Sequence, residues 1–441
     1  MKKNFKAGSK VNLLTKDSRD FSGIILPDSD SKKVVLKLSS GYNIGLLKSN
    51  IASVKVVSQQ KKESSSISRL SLSQKTSKNL PTISIIHTGG TINSKVDYET
   101  GAVIARFTPE ELLAMFPEIK NLCNIRSYLL ANMFSEDMRF SHYNEMAKAI
   151  KKEAANGSDG VIITHGTDTL AYSSTALSFI LEDLNIPVLF VGAQRSSDRG
   201  SSDAFLNLFC AVQFITKSNF CDIGICMHEH SDDRSCLIFP ATKTRKLHTS
   251  RRDAFRAVNS RPIARVFSDG RCENISKFPT RENRKNLAIK IKSIKENLKI
   301  GILKVHPNLY AKEIQSYSSF DGLIIEGTGL GHVSINKIDS KTTENKNVHS
   351  ALKSLAKKIP VFMASQCIHG SINMNVYSTG RRLKDIGILG DYNDMLAETA
   401  FIKMAWLLSN YPKKEVGKLM MENMHGEINL RSINEEIPHD L

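Results

Sequence analysis

The stretch that decides the fold is GVIITHGTDT at residues 160–169, in which a short β-branched run is stopped by a glycine and followed by two threonines and a carboxylate. A second stretch, TISIIHTGGT at residues 82–91, has the same form. Apolar runs of this length are typical of strands buried on both faces of a parallel sheet. The two stretches therefore predict two buried strands that each end in a hydroxyl-bearing turn.

The region after the first stretch predicts a βαβ unit. Apolar residues recur at helical spacing from Leu170 to Leu184, and the run IPVLFV at residues 186–191 supplies another strand. Parallel strands joined by a crossover helix have their carboxyl ends at one edge of the sheet, which is where ligands bind in open α/β folds. Both hydroxyl-bearing turns are thus expected at one binding edge.

The length and net charge of the chain limit the number of domains and the kinds of partner to expect. The chain has 441 residues, which predicts two or three domains, and its 61 Lys and Arg against 44 Asp and Glu give a net charge of +17. A surplus of this size favours a polyanionic partner, and a solvated basic surface is an equally good explanation.

The seven cysteines are scattered through apolar runs without a C-x-x-C pair, which indicates reduced core thiols. No apolar stretch resembles a signal peptide or a membrane helix. We therefore expect a cytoplasmic protein without a membrane partner.

Composition divides the chain into four parts. Residues 1–57 contain five short β-like runs, which predict a small N-terminal β-barrel of SH3-like type. This barrel either contacts RNA or a partner subunit, or only packs on its neighbour. Residues 58–80 are rich in serine and lysine and predict a flexible linker. Two α/β domains are expected at 81–280, which carries the turns described above, and at 298–441.

Each candidate chemical group has a structural alternative. A threonine after a Gly-Gly turn, here Thr91, suits nucleophilic attack with backbone N–H groups receiving the oxyanion, but such a turn also cradles phosphate or simply connects a strand to a helix. In the second turn, Asp168 or Thr169 could serve only as a helix cap. Lys246 could accept a proton from a threonine hydroxyl. On composition alone, the stretch around it, residues 243–252, predicts a solvated basic loop.

Several ordered motifs resemble those of the bacterial-type L-asparaginase family. They are TGGTI at 88–92, SEDM at 135–138, HGTDT at 165–169, VGAQR at 191–195, Lys246 followed by Phe255, EGTGLG at 326–331 and SQC at 365–367. The resemblance covers residues 81 to 435. It implies an asparaginase-like fold of two α/β domains with mainly parallel sheets.

Within this family the chain is most similar to the branch that serves tRNA-dependent amidotransferases. The features that carry this similarity are the N-terminal barrel and the segments at 246–256 and 373–381. The resemblance implies a glutaminase that hydrolyses glutamine to glutamate and ammonia. The ammonia then serves a partner subunit that converts Glu-tRNA(Gln) to Gln-tRNA(Gln) with ATP.

The resemblance also implies residue roles. Thr91 is expected to be the nucleophile, while Thr167, Lys246 and Asp168 are expected to form a hydroxyl-amine-carboxylate relay in which Asp168 also holds the substrate amine. Tyr98 is expected to assist Thr91 from a mobile loop. The expected substrate-binding residues are Gly90, Ser135, Glu136 and Gly166.

Partners and cofactors are expected as follows. No metal is expected on this chain, and because the sequence lacks a G-x-x-x-x-G-K-[ST] motif, ATP and Mg are expected at the partner subunit. Glu-tRNA(Gln) is expected to bind through the complex, a heterotetramer with a homodimer core. The alternatives are a free-standing cytoplasmic L-asparaginase or glutaminase, and a non-catalytic scaffold.

Overall fold

The structure is a computed structural model, and it describes residues 9–26, 29, 32–38, 43–58, 77–90, 92, 94–96, 103–105, 119, 121–196, 201–284 and 287–431. Within these residues the strands are β1 (Lys10–Thr15), β2 (Asp20–Ile25), β3 (Lys33–Leu38), β4 (Asn43–Leu47), β5 (Ile51–Ser58), β6 (Thr82–Gly89), β7 (Ser94–Val96), β8 (Val103–Ala105), β9 (Asn124–Met133), β10 (Gly160–Thr164), β11 (Leu181–Glu182), β12 (Val188–Val191), β13 (Ile223–His228), β14 (Ser235–Pro240), β15 (Thr244–Lys246), β16 (Phe255–Ala257), β17 (Ala264–Phe267), β18 (Cys272–Asn274), β19 (Lys290–Ile291), β20 (Ile300–Lys304), β21 (Gly322–Gly327) and β22 (Val361–Ser365). The helices are α1 (Phe140–Ala155), α2 (Leu170–Ile180), α3 (Ala204–Lys217), α4 (Ala311–Gln315), α5 (Glu344–Ala356), α6 (Ser378–Asp385), α7 (Ala397–Asn410) and α8 (Lys413–Met420).

The N-terminal strands form a five-stranded antiparallel sheet with the order β4-β3-β2-β1-β5. Its buried side chains alternate along the strands and include Val11, Leu13, Ile25 and Leu36. Such alternation is typical of a sheet with one face on a core and one in solvent. The five strands lie where the sequence predicts them, and closure of the sheet into a barrel stays a prediction.

The central sheet has eight strands in the order β18-β17-β14-β13-β12-β10-β6-β9. Pairing is parallel from β9 to β13 and antiparallel from β13 to β18. On β10, Val161 and Ile163 enter one apolar core and Ile162 enters the other. Burial on both faces explains why this strand is an unbroken apolar run, as predicted.

A second, smaller sheet is formed by β20, β21 and β22, and it is parallel throughout. Helix α7 joins this sheet to the first one because its apolar face, which includes Trp406, packs in the same core as α2. The rings of Trp406 and Phe179 are 5.5 Å apart. The mainly parallel α/β fold agrees with the expectation from sequence.

The segment between the two predicted α/β domains, residues 281–297, is bound to the first α/β half over part of its length. Strand β19 pairs with β11, and Asn144 exchanges two hydrogen bonds with the backbone of Ile294. This pairing also explains why α2 ends at Ile180 rather than at Leu184. Leu181 and Glu182 take extended geometry in order to pair with β19.

The cysteines are free thiols, five of which are buried. Cys367 is exposed and Cys272 is partly buried. The pattern agrees with the prediction of core thiols. In the part of the chain that the structure describes, no helix combines the length and apolar character needed to cross a bilayer.

A buried ion pair connects the two α/β halves. The Nζ of Lys243 lies 2.7 Å from the Oδ2 of Asp394, and both side chains are almost fully buried. The Asp394 carboxylate also accepts hydrogen bonds from the backbone and side chain of Asn429. Nearby, Arg245 pairs with Glu398 on α7 at 3.2 Å. These contacts hold residues 243–245, at the start of β15, against the second α/β half.

We predict that Lys243→Met strongly destabilises the protein because it leaves the Asp394 carboxylate buried without its ion-pair partner. The expected loss in the free energy of unfolding is about 3–5 kcal/mol, measured by urea denaturation. The exposed pair of Lys148 and Glu145 provides the control, since Lys148→Met is expected to cost far less because solvent screens an exposed ion pair. Equal losses in the two variants would contradict the structural role of the buried pair.

Candidate active site

The candidate site lies at the carboxyl ends of β6 and β10, which are adjacent and parallel. Polar side chains bind the two strand ends together. His87 contacts the Thr164 hydroxyl at 2.9 Å and the Ser127 hydroxyl at 2.7 Å, and the Thr88 hydroxyl donates to the Thr164 carbonyl. These buried contacts fix the separation between the two turns that follow.

Two glycines allow the turns to approach each other. Gly90 has φ +82°, and a Cβ there would lie 2.4 Å from the Cα of Gly166. A Cβ at Gly166 would lie 2.8 Å from the Cβ of Ser135. These separations exclude any side chain at either glycine. Gly90 therefore meets Gly166 backbone to backbone, and Gly166 lies against the Ser135 side chain, so that three segments meet at the predicted substrate-binding positions.

Ser135 is buried at the start of a 3₁₀ turn, Ser135–Asp137, which packs against the second hydroxyl-bearing turn. Its carbonyl accepts a 2.6 Å hydrogen bond from the Thr169 hydroxyl, and its own hydroxyl accepts from the Thr169 backbone N–H at 3.3 Å. Thr169 precedes α2 but makes no side-chain capping bond to it. Glu136 is exposed, and its carboxylate has no hydrogen bond or ion pair among the described residues.

Lys246 contacts two other predicted catalytic residues, Thr167 and Asp168. Its Nζ lies 2.9 Å from the Thr167 hydroxyl and 2.8 Å from the Oδ1 of Asp168. The Lys246 side chain is 13% exposed, whereas that of Asp168 is 66% exposed. The amine is therefore largely shielded from water while the carboxylate remains open to a ligand.

The Lys246 backbone is held by a short hairpin. Strand β15 pairs with β16 so that Lys246 lies opposite Phe255, which is fully buried in the main core. Leu247 then donates to the Ala254 carbonyl at 2.7 Å. The composition-based prediction of a solvated basic loop at 243–252 is wrong for this part of the stretch, because its lysines are drawn inward by partners from distant segments.

Asp253 is a supporting residue that sequence reasoning missed. Its nearly buried carboxylate accepts two hydrogen bonds from Arg251, at 2.9 and 2.7 Å, and its carbonyl accepts one from Arg256. Burial acts to raise the pKa of Asp253, but hydrogen bonds from Arg251 hold it below its ordinary value. The charged Asp253 thereby closes the loop that follows Lys246. A single Asp among Arg251, Arg252 and Arg256 was the available signal.

His165 is a packed residue of the second turn. Its ring is fully buried beside Phe190, and its Nδ1–H donates to the Gly166 carbonyl at 2.7 Å. Burial lowers the pKa of His165 to about 4, against the smaller opposing effect of that hydrogen bond. The imidazole is therefore neutral at physiological pH.

The structure brings together six of the predicted site residues: Gly90, Ser135, Gly166, Thr167, Asp168 and Lys246. Glu136 is adjacent in the chain to Ser135. Thr91 and Tyr98 lie outside the described residues, so their roles stay predictions. Among the residues that the structure describes, no group of three or more His, Cys, Asp or Glu side chains could hold a metal ion.

Family models match three parts of the chain. The N-terminal domain of asparaginase matches residues 82–278, and the glutaminase/asparaginase C-terminal domain matches residues 299–421. The GatD N-terminal domain matches residues 5–57. Similar solved structures include the thermostable L-asparaginase from Thermococcus kodakarensis, with a TM-score of 0.68 and 26% identity over 79% of this chain and 99% of that chain. L-asparaginase I from Vibrio cholerae has a TM-score of 0.67 and 26% identity over 80% and 100% of the two chains.

Similar curated proteins span nearly the whole chain. The GatD subunit of glutamyl-tRNA(Gln) amidotransferase from Pyrococcus horikoshii is 40% identical over 97% of this chain and 95% of that protein. The protein of the same name from Methanothermobacter thermautotrophicus is 39% identical over 95% and 93% of the two chains. The chain therefore belongs to the asparaginase family and, within it, to the GatD subunits of glutamyl-tRNA(Gln) amidotransferases.

Proposed function

We propose that this chain is the glutaminase subunit of a tRNA-dependent amidotransferase, which hydrolyses glutamine and supplies ammonia for the conversion of Glu-tRNA(Gln) to Gln-tRNA(Gln). The observation that carries the proposal is the contact of Lys246 with both Thr167 and Asp168 beside the Gly90–Gly166 approach. Nearly full-length similarity to named amidotransferase subunits supports the biological role. A free-standing asparaginase or glutaminase is less supported, because a GatD N-terminal domain matches residues 5–57.

The proposed reaction has two steps. The Thr91 hydroxyl oxygen attacks the side-chain amide carbon of glutamine, and the C–N bond breaks as ammonia leaves with a proton from the enzyme. Water then attacks the resulting ester, which releases glutamate and restores the threonine hydroxyl. The proton that leaves with ammonia is that of the Thr91 hydroxyl. In the second step Thr167 takes a proton from the attacking water and passes its own to Lys246, which acts as the base while Asp168 stabilises the cation, and this proton returns to the Thr91 oxygen as the ester breaks. The exposed face of Asp168 holds the substrate ammonium.

We propose roles for the binding residues on the same basis. Gly90 and Gly166 admit the substrate close to the backbone, Ser135 contacts the ligand, Glu136 contacts its amine and Tyr98 assists Thr91. The buried position of Ser135 against Gly166 supports its assignment.

We propose the following assembly. An ATP-using partner subunit binds ATP, Mg and Glu-tRNA(Gln), and two copies of this chain form the core of a heterotetramer in the cytoplasm. The N-terminal sheet closes as an SH3-like barrel over residues 1–57, with a linker at 58–80 and α/β domains at 81–280 and 298–441. The matched ranges of the three family models support these boundaries.

The first test of the mechanism is Thr91→Val. We expect glutamine-dependent amidation to fall at least about a thousandfold, because the nucleophile is lost, while amidation from ammonium chloride is retained. Both reactions are measured on the complex with the partner subunit. Thr216→Val on α3 is the control, since the Thr216 hydroxyl donates to backbone carbonyls of its own helix, and it is expected to keep glutamine use. Efficient glutamine use by Thr91→Val removes that residue from the mechanism.

The second test concerns the proton acceptor. Lys246→Arg keeps a cation beside Asp168 but cannot act as a base, because arginine stays protonated. We expect Lys246→Arg and Lys246→Met to lower glutamine hydrolysis to a similar extent, by about 10²–10⁴-fold. Near-normal turnover in Lys246→Arg would instead mean that Lys246 acts only through its charge.

The third test concerns the close approach of the turns. We expect Gly166→Ala to raise the KM for glutamine and lower kcat, because its Cβ would lie 2.8 and 2.9 Å from the Ser135 side chain. Adding Ser135→Gly removes those two atoms and is expected to restore part of the activity. Steady-state ammonia release measures both variants. Full activity of Gly166→Ala alone contradicts the steric argument.

A further inference from the structure

Helix α5 and the residue that follows it carry a stripe of basic side chains, three lysines and one histidine. Lys346, His349, Lys353 and Lys357 follow one another at intervals of three or four residues, which places them along one face. At 1.5 Å per residue, the stripe is about 16 Å long. The three lysines are exposed, and none has an ion pair with a carboxylate among the described residues.

Helix α6 adds a further cation to this stripe. Asn336 connects the two helices, because its side chain contacts Arg382 and donates to the Thr379 hydroxyl while its carbonyl accepts from Asn345. Burial, and then the charges of Arg382 and Lys353, lower the pKa of His349. Charges from α5 and α6 therefore both act on His349. We call Lys346, His349, Lys353, Lys357 and Arg382 the α5 stripe.

A groove of mixed polar and apolar lining adjoins the α5 stripe. It has a volume of about 640 Å³ and lies between α4 and α5, away from the candidate active site. Its lining includes the hydroxyls of Ser318, Ser350 and Ser354 and the amines of Lys312 and Lys358. Glu344 also lines the groove, but its two oxygens accept from the Ala311 backbone and the Asn347 side chain. The groove therefore offers further cations and hydroxyls beside the stripe.

We propose that the α5 stripe and the adjoining groove bind the phosphate backbone of RNA. Adjacent lysines on one helix repel one another, so an arrangement without acidic partners suits an external polyanion. Lysine, arginine and hydroxyl side chains are the groups that contact phosphates and sugars. The helix presents no large exposed apolar side chain, whereas cores of protein interfaces are enriched in aromatic residues and depleted in lysine.

This inference deepens the proposed function, on which it rests for the identity of the RNA as a tRNA. It adds that the glutaminase chain itself contacts the nucleic acid. Contacts of this kind carry no base specificity, because they read only the backbone. The partner subunit would supply sequence recognition, and the α5 stripe would add affinity and orientation.

The test compares two triple variants of the full chain. The α5 variant loses three charges of the α5 stripe through Lys346→Gln, Lys353→Gln and Lys357→Gln. The α1 variant is the matched control and loses three charges from exposed positions of α1 through Lys148→Gln, Lys151→Gln and Lys152→Gln. Unacylated tRNA(Gln) is the probe, and binding is followed by fluorescence anisotropy over a series of potassium chloride concentrations around the physiological range.

We expect the α5 variant to bind tRNA about a hundredfold more weakly at about 0.1 M salt, with the slope of log K against log salt reduced by about 2–3. The α1 variant is expected to change the slope by less than about 1. Equal losses in the two variants would overturn the proposal, because net charge alone would then explain binding. Unchanged binding by the α5 variant would overturn it as well.

Two further measurements separate this proposal from its alternatives. Ammonia release from free glutamine is expected to be unchanged in the α5 variant, so a chain that binds tRNA but hydrolyses no glutamine would refute the proposed function and not the RNA surface. An acidic protein partner is detected by sedimentation of the chain together with the ATP-using subunit. If the α5 variant loses that association but keeps its affinity for tRNA, the stripe is a protein interface and the RNA proposal is wrong.

Discussion

The backbone of Gly166 is so close to Gly90 that a β-carbon at Gly90 would lie 2.4 Å from it, and a β-carbon at Gly166 would lie 2.8 Å from the Ser135 side chain. Every other feature of the candidate site depends on this approach, since the three segments come from separate parts of the chain. Each follows or joins a strand of one sheet, so their separation is set by the strand spacing and by the buried His87 contacts. A rigid framework of this kind can hold reacting groups at fixed positions at little entropic cost.

Lys246, the residue proposed to accept a proton, is positioned by a different part of the structure. Lys246 lies on a short hairpin whose neighbouring residues are bound across the boundary between the two α/β halves, by Lys243 to Asp394 and by Arg245 to Glu398. Displacement of the second half would therefore shift the Lys246 amine relative to Thr167. Packing between the halves and geometry at the site are coupled through three side chains of one short segment.

The sequence predicts the parts of this structure that depend on local pattern. Buried parallel strands and glycine turns are visible in GVIITHGTDT because both faces of β10 are apolar. Features set by distant partners are not visible in this way. The end of α2 depends on pairing with β19, which is remote in the chain, and the burial of Lys243 depends on Asp394. The relay at Lys246 is predicted by family resemblance alone, because local composition indicates a solvated loop.

The lysines of this chain show that burial and neighbouring carboxylates, rather than residue type, determine the role of a charged side chain. Lys243 is buried against a carboxylate, and its charge is used to join two parts of the fold. Lys246 is shielded while its carboxylate partner stays exposed, which leaves the carboxylate open to a ligand. Lys346, Lys353 and Lys357 are exposed without carboxylate partners among the described residues, so their field extends into solvent. Among these five lysines, therefore, the three of the last kind are available to attract an external polyanion.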